Sequence, residues 1–226
     1  MPRRQISLET GKIYHIFNRG VAKLTMFRDN NEYQRFSNLI DYYRFVDIPL
    51  RYSDFIKLPE DKQSKIKTFL ESENKMWVEI YSFILMPNHF HLCLRQLINN
   101  GISNFLRRVE NSFTHYVNIK NERVGPQFQG RFKSILVETD EQLLHLSRYQ
   151  HLNIYTDGVV KTVEELINYP HSSLTDYIKE KVHNFIDTEL ILSFFKNRNA
   201  YKRFVLSQRD YQRKLGRIKK LLLEKD

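Results

Sequence analysis

Two histidines one residue apart, His89 and His91, open an alternating apolar run, and further along the chain Tyr149 and Asn153 stand one helical turn apart. These residue types can hold a divalent cation and attack a phosphodiester. Alternate strand residues project to the same face, so the two imidazoles would stand about 6.5–7 Å apart along the backbone, close enough to grip one ion. Phe90, Leu92 and Leu94 then fall on the opposite, buried face. Tyr149 and Asn153 are four apart on a helix and share a side of it. With that helix beside the histidine strand, the Asn153 side-chain oxygen completes a set of two imidazoles and one carbonyl. Mixed nitrogen and oxygen ligands with vacant positions suit Mg²⁺ or Mn²⁺, whose other sites take water and phosphate oxygens. The ion would draw charge off a scissile phosphate while the Tyr149 oxygen attacks phosphorus.

A tyrosine nucleophile differs from water in its consequence. Covalent capture keeps the phosphoester, so a later hydroxyl can reverse the step and rejoin strands without nucleotide fuel. None of the seven glycines belongs to a GxxxxGK[ST] loop, which agrees with fuel-free chemistry. The phenol's ordinary pKa near 10 requires something to accept its proton, and His145, one turn earlier on the same helix, is a candidate.

Each of these residues also has a plainer reading. An isolated His-x-His seldom binds metal. Tyr149, near Leu146 and Leu152 and one of thirteen tyrosines, reads alone as core packing. Asn153 reads alone as a helix end before the turn at Thr156-Asp157-Gly158. The sharper reading needs all four together.

The elements that must position them follow from pattern. A strand is expected over Ile13 to Arg19, closed by Gly20. A helix follows from about Asp29, with Asp29 capping its first turn, Glu32 at the capping-box position, an apolar face at Tyr33, Phe36, Ile40 and Tyr43, and an end marked by Pro49. Residues 50–75 read as a polar insertion with a short helical pattern at Ile66, Phe69 and Leu70. Trp77 to Met86 reads as a buried strand, Pro87-Asn88 as a turn and His89 to Arg95 as the returning strand, with the histidines solvent-accessible at the hairpin mouth. A second helix from about Ser103 carries Phe105, Leu106, Val109, Phe113, Tyr116 and Val117 at a 3.6-residue period. Residues 121–130 form a loop, Phe132 to Glu138 a fourth strand, and Asp140 to Asn153 a third helix. The fold class expected is α+β: a ferredoxin-like split βαβ arrangement with a four-stranded antiparallel sheet and helices on one face. Residues 1–180 would form the catalytic domain with its helical insertion, and 181–226 a basic helical extension.

Composition narrows the partner. The net charge is +10, and from Lys196 to Asp226 eleven Lys/Arg stand against three Asp/Glu, which favours a polyanion. That segment is helical in pattern, with Tyr201, Phe204, Val205, Tyr211, Leu215, Ile218 and Leu222 on one face and Lys202, Arg203, Arg209, Arg213, Arg217 and Lys220 on the other. No apolar run reaches a membrane span, no apolar segment follows the basic start as in a secretory signal, and the single cysteine, Cys93, excludes an internal disulfide. A reducing cytoplasm is expected, with no membrane partner.

YHIFNRG (Tyr14 to Gly20), FILMPNHFHLCLR (Phe83 to Arg95), FQGRFKSILVE (Phe128 to Glu138), SRYQHLN (Ser147 to Asn153) and YPHSSLTDY (Tyr169 to Tyr177) together resemble the HUH single-tyrosine transposases, most of all the REP-associated tyrosine transposase branch. The likeness runs through nearly the whole chain in matching order, NRNAYKRFV near the end included. It implies that His89 and His91 are the metal-binding pair, Tyr149 the nucleophile and Asn153 the third ligand. It implies cleavage of single-stranded DNA beside a folded hairpin of palindromic-repeat type, leaving a 5′-phosphotyrosine and a free 3′-hydroxyl, in a bacterial cytoplasm at the nucleoid. Relatives of this kind act as monomers or dimers, so a homodimer is possible. Two departures stand out: relatives commonly read LNP where this chain has Leu152-Asn153-Ile154, and the 50–75 insertion is longer than compact members need.

Arg131 and Lys133 after FQG, Arg107 and Arg108 on the second helix, and Arg19 are the candidates for phosphate contact. Gln127, Gln129 and Asn18 are the candidates for base edges, because unstacked bases expose donors and acceptors that amides match. Three other readings compete. A nucleic-acid-binding domain that has lost chemistry is weakened by the presence of all four site residues. A small-molecule metal hydrolase explains neither Tyr149 nor the basic tail. A replication initiator would share the chemistry, but those often carry a helicase module, for which there is neither room nor motif.

Overall fold

In the computed structural model, residues 8–179 and 182–209 are described. Four strands, β1 (Ile13–Arg19), β2 (Val78–Met86), β3 (His89–Gln96) and β4 (Lys133–Val137), form one antiparallel sheet in the order β2-β3-β1-β4. The β1-helix-β2-β3-helix-β4 sequence with that order is the expected split βαβ topology. Helices are α1 (Asn30–Tyr43), α2 (Tyr52–Phe55), α3 (Glu60–Glu73), α4 (Gly101–Lys120), α5 (Asp140–Thr156), α6 (Val163–Ile167), α7 (Leu174–Ile178), α8 (Glu189–Leu192) and α9 (Arg198–Leu206). Among the described residues no helix is long and apolar enough to cross a membrane.

Contacts divide the chain into two compact units that do not follow chain order: one holds the residues through Glu79 with Pro87–His89 and Leu94–Leu136, the other Ile80–Met86, Phe90–Cys93 and the residues from Val137 on. In the first, α1 packs on α4. Asp29 accepts from the Glu32 N–H at 3.0 Å as the cap should. The Glu32 carboxylate reaches one residue further than a capping box requires, accepting from the Arg28 N–H at 2.7 Å. Fully buried, it also takes the Lys120 ammonium at 3.2 Å and the Asn121 amide at 3.3 Å, so the start of α1 is tied to the end of α4. Between them Phe36 and Phe113 meet edge to face, ring centroids 5.0 Å apart.

Three sequence expectations shift here. Helix α1 ends at Tyr43 rather than near Pro49. The insertion holds two helices, of which α3 runs 14 residues and closes on Asn74 in the left-handed conformation. Only Leu70 of α3 is buried and Phe69 is half exposed, which is why its apolar pattern looked so short. Helix α4 starts at Gly101, whose missing Cβ leaves room for the Trp77 carbonyl.

Gly20 ends β1 where the chain must turn sharply. A Cβ there would stand 2.2 Å from the backbone oxygen of Leu24. Since backbone cannot move aside cheaply, Gly20→Ala is expected to destabilise the protein by about 1–3 kcal/mol in urea unfolding. A variant within about 0.5 kcal/mol of the parent would show that the turn relaxes freely.

In the second unit the outer edge of β2 is covered by irregular chain. Leu85 N–H donates to the His171 carbonyl at 2.9 Å, Ser173 N–H to Phe83 at 3.0 Å and Asp187 N–H to Ile80 at 2.8 Å. Tyr169 and Tyr177 donate their hydroxyls to the carbonyls of Leu85 and Tyr81 at 2.8 and 2.7 Å. The YPHSSLTDY segment thus satisfies the backbone groups that an exposed edge strand would present. Of the expected C-terminal face, Tyr201 and Val205 are fully buried. Tyr211, Arg213, Leu215, Arg217, Ile218, Lys220 and Leu222 lie outside the described residues.

Candidate active site

Helix α5 is the element that brings the chemistry together. It runs to Thr156, one turn beyond the expected end, so Asn153 sits inside it, its carbonyl accepting from the Asp157 N–H at 2.9 Å. Thr139 caps its start, accepting from Gln142 N–H at 3.2 Å.

Its docking depends on a polar stripe that the sequence reading passed over. Ser147, Gln150 and His151 are all buried at 0% exposure. Ser82 on β2 donates to the Gln150 amide oxygen at 2.5 Å. His151 stands between Ser173, 2.9 Å from Nε2, and the Tyr201 hydroxyl, 2.8 Å from Nδ1; Tyr201 donates onward to Ser147 at 3.1 Å. Uncharged polar residues at helix positions i, i+3 and i+4, where a core face should be apolar, are the signal that would have found this network.

Burial pushes the His151 imidazole down to about 3, and burial likewise takes His15 and His171 to about 4. These rings stay neutral when folded but take protons when unfolded below about pH 6.5. Their stabilisation is therefore complete above pH 6.5 and lost as pH falls toward 4, at about 1.4 kcal/mol per pH unit for each proton taken up only on unfolding. Glu110, raised by burial to about 7, acts in the opposite sense between about pH 7 and 4.5, one group against three. The melting temperature is expected to drop steadily from pH 6.5 to 4.5; a flat or rising profile would show that these histidines are not neutral in the fold.

On the other side of α5, Tyr149 meets His91, rings edge to face with centroids 5.8 Å apart. Asn153 hydrogen-bonds the Tyr149 phenol. Its Nδ2 is buried with no other hydrogen-bond partner. Burial raises the phenol above its ordinary value, the Asp157 carboxylate adds to this, and the Asn153 hydrogen bond opposes it. Tyr149 is 41% exposed, so the nucleophile candidate is reachable.

His91 is 6% exposed, contrary to the expected open hairpin mouth. The reason is the cover of α5: Phe90, Leu92, Cys93 and Leu94 are fully buried as well, so β3 is packed on both faces rather than one. His89, two residues earlier on β3, is half-buried, with Nδ1 2.7 Å from the Asn88 side-chain oxygen. That oxygen only accepts, so Nδ1 carries the proton and the lone pair is on Nε2. His145 has its Nδ1 against the Arg148 guanidinium at 2.6 Å and its Nε2 3.6 Å from Glu141. Cys93 is buried and its thiol is pushed up to about 12 by burial, an inert core residue.

The DNA-contact candidates separate into three sets. Arg19 and Gln129 are exposed and hydrogen-bonded to each other, and Arg131 and Lys133 are exposed nearby in sequence. Asn18 and Gln127 are buried, at 5% and 2% exposure, and already engaged. Asn18 donates to Glu110 at 2.9 Å and to the Gly130 carbonyl at 3.2 Å, and Gln127 accepts from Arg123 at 3.2 Å within the loop and donates to the Met26 carbonyl at 3.5 Å, so both amides tie the loop before β4 to the body rather than face a base. Arg107 is exposed and Arg108 half-buried on the outer side of α4.

Among the described residues no three His, Cys, Asp or Glu side chains gather as a metal cluster. No protein-family model matches the sequence, and no curated protein sequence matches it. Among solved structures, a REP-associated tyrosine transposase bound to a REP hairpin shares this fold with a TM-score of 0.52 and 16% identity, over 79% of this chain and 85% of that one.

Proposed function

We propose that this chain is a metal-dependent single-stranded DNA endonuclease and strand transferase that cuts beside a DNA hairpin through a tyrosyl phosphodiester. The observation that carries the reading is the convergence of Tyr149, Asn153 and His91: a reachable phenol, hydrogen-bonded by an amide one turn away and packed against an imidazole. The shared fold with a tyrosine transposase bound to a hairpin supports the same assignment.

His89, His91 and Asn153 are the residues that would hold a divalent ion, Mg²⁺ or Mn²⁺. The donor set fits. Two imidazoles and one amide leave positions for water and phosphate oxygens, His89 has its lone pair on Nε2, and the buried, otherwise unpartnered end of the Asn153 amide would become an oxygen donor on rotation of the side chain. When bound, such an ion withdraws charge from the scissile phosphate. The chain's own part is the displacement. Tyr149 oxygen forms a bond to phosphorus, the bond from phosphorus to the 3′ oxygen breaks, and that oxygen leaves as a 3′-hydroxyl after taking a proton. The phenol proton passes to solvent as the bond to phosphorus forms. Attack by a 3′-hydroxyl on the phosphotyrosine runs the step backwards and rejoins strands.

Incubation with labelled hairpin-bearing single strands and Mg²⁺ or Mn²⁺ is expected to yield a protein–DNA adduct that survives denaturation. Tight binding with neither cleavage nor adduct under any divalent ion would favour a non-catalytic nucleic-acid-binding role, the reading to which the burial of His91 lends weight.

A further inference from the structure

Helix α4 buries one side, through Phe105, Leu106, Val109, Phe113 and Val117, and turns the other toward a cleft of about 1040 Å³. The far wall is α1 and residues 48–57, the beginning of the insertion. Lining positions on α4 run from Arg107 to Lys120. At 1.5 Å per residue they extend for about 20 Å.

The lining is strongly cationic: Arg35, Arg51, Lys57, Arg107, Arg108 and Lys120 against one carboxylate, Asp54. Lys57 lies 3.8 Å from Asp54, and Lys120 is held by Asp29 and Glu32. Among the described residues no carboxylate lies within ion-pair distance of Arg35, Arg51, Arg107 or Arg108. Two of these are held in place by packing. The Arg35 guanidinium sits between the rings of Tyr52 and Tyr116, at 4.5 and 4.9 Å, with its Nε buried and without a hydrogen-bond partner. Arg108 donates to the Val46 carbonyl at 3.3 Å and lies over Trp77 at 5.7 Å.

Cations spread over both walls along about 20 Å suit a polymer of phosphates better than a single one, for duplex DNA carries one negative charge per about 1.7 Å of its axis. Paired rather than unpaired strands fit, because of the rings in the lining only the His115 imidazole is exposed, one platform where a run of stacked bases needs several. Tyr43 is buried, and a face of Tyr116 is taken by Arg35. Stacking is what unpaired nucleotides require.

We propose that this cleft receives the phosphate backbone of the base-paired stem of hairpin DNA. The proposal rests on the reading of hairpin DNA as the partner and adds which surface holds the stem. It gives the insertion a role through Arg51 and Lys57.

The test is fluorescence anisotropy of the full chain with a labelled blunt stem closed by a short loop, as a function of salt. Arg51→Glu with Arg107→Glu is compared with Lys62→Glu and Lys67→Glu, an equal charge change on α3 outside the cleft. Arg51 caps nothing with its side chain and both arginines are exposed, so the pair folds, as a melt verifies. The cleft pair is expected to bind the stem at least tenfold more weakly, equally for scrambled stem sequences. Its slope of log affinity against log salt should be shallower by about two. The α3 pair should stay within twofold. Equal losses in both pairs, an unchanged cleft pair, or a loss for unpaired oligonucleotides but not for stems would overturn the proposal. Adduct formation by the parent protein is measured in parallel. Its absence would remove the catalytic reading and leave the cleft intact, whereas adducts with an unchanged cleft pair would remove the cleft alone.

Discussion

Tyr149→Phe is expected to abolish the covalent protein–DNA adduct, with strand cleavage falling by at least about 10³-fold, while hairpin affinity stays within about twofold. The substitution deletes one oxygen. The ring keeps its edge-to-face contact with His91, and the residue is 41% exposed, so the helix should pack as before. What disappears is the atom that would attack phosphorus. Asn153 loses its hydrogen-bond contact with the phenol oxygen, at a cost of about 0.5–1.5 kcal/mol in stability, which a melt can read separately. An adduct that persisted in Tyr149→Phe would move the nucleophile to another of the tyrosines. A parallel loss of binding would mean that Tyr149 holds DNA rather than cuts it.

The second large effect concerns the metal pair. His91→Gln is expected to lower cleavage by about 10²-fold or more and to weaken Mn²⁺ binding at least tenfold, because one nitrogen ligand is replaced by a weaker oxygen. Glutamine is chosen over alanine because His91 is buried beside Tyr149, and truncation would leave a cavity whose cost confuses the result. His89→Ala at the half-buried neighbour should show the same loss of metal affinity with a smaller effect on melting. Metal titration by calorimetry or by Mn²⁺ paramagnetic resonance gives the affinity directly. Unaltered Mn²⁺ affinity in both variants, with activity also unaltered, would exclude the two histidines as ligands.

Much of the framework was legible because it is local. The alternation in Ile13–Arg19, the Pro87-Asn88 turn between two apolar runs, the Asp29 cap and the 3.6-residue period of α4 each declare themselves within about a dozen residues. The pairing of Tyr149 with Asn153 was legible for the same reason. What escaped depends on contacts far apart in the chain. His91 is covered by a helix about sixty residues later, and nothing near His91 announces that. Asn18 looked like a base reader until Glu110 and Gly130 were found at its amide, and Gln127 until its burial was seen. His151, Ser173 and Tyr201 lie on three elements and become a network only in the fold. Helix α3 was underread because its stability derives from charged helix formers more than from an apolar face.

The most direct measurement is to locate the attached nucleotide. The parent protein is incubated with a hairpin-bearing single strand and Mn²⁺, the DNA is trimmed by nuclease, and the peptides are sequenced by tandem mass spectrometry. The expected result is a nucleotide mass on the phenol of Tyr149, with the released fragment ending in a 3′-hydroxyl. A modification on any other residue, or cleavage products bearing a free 5′-phosphate with no modified peptide at any time point, would contradict it.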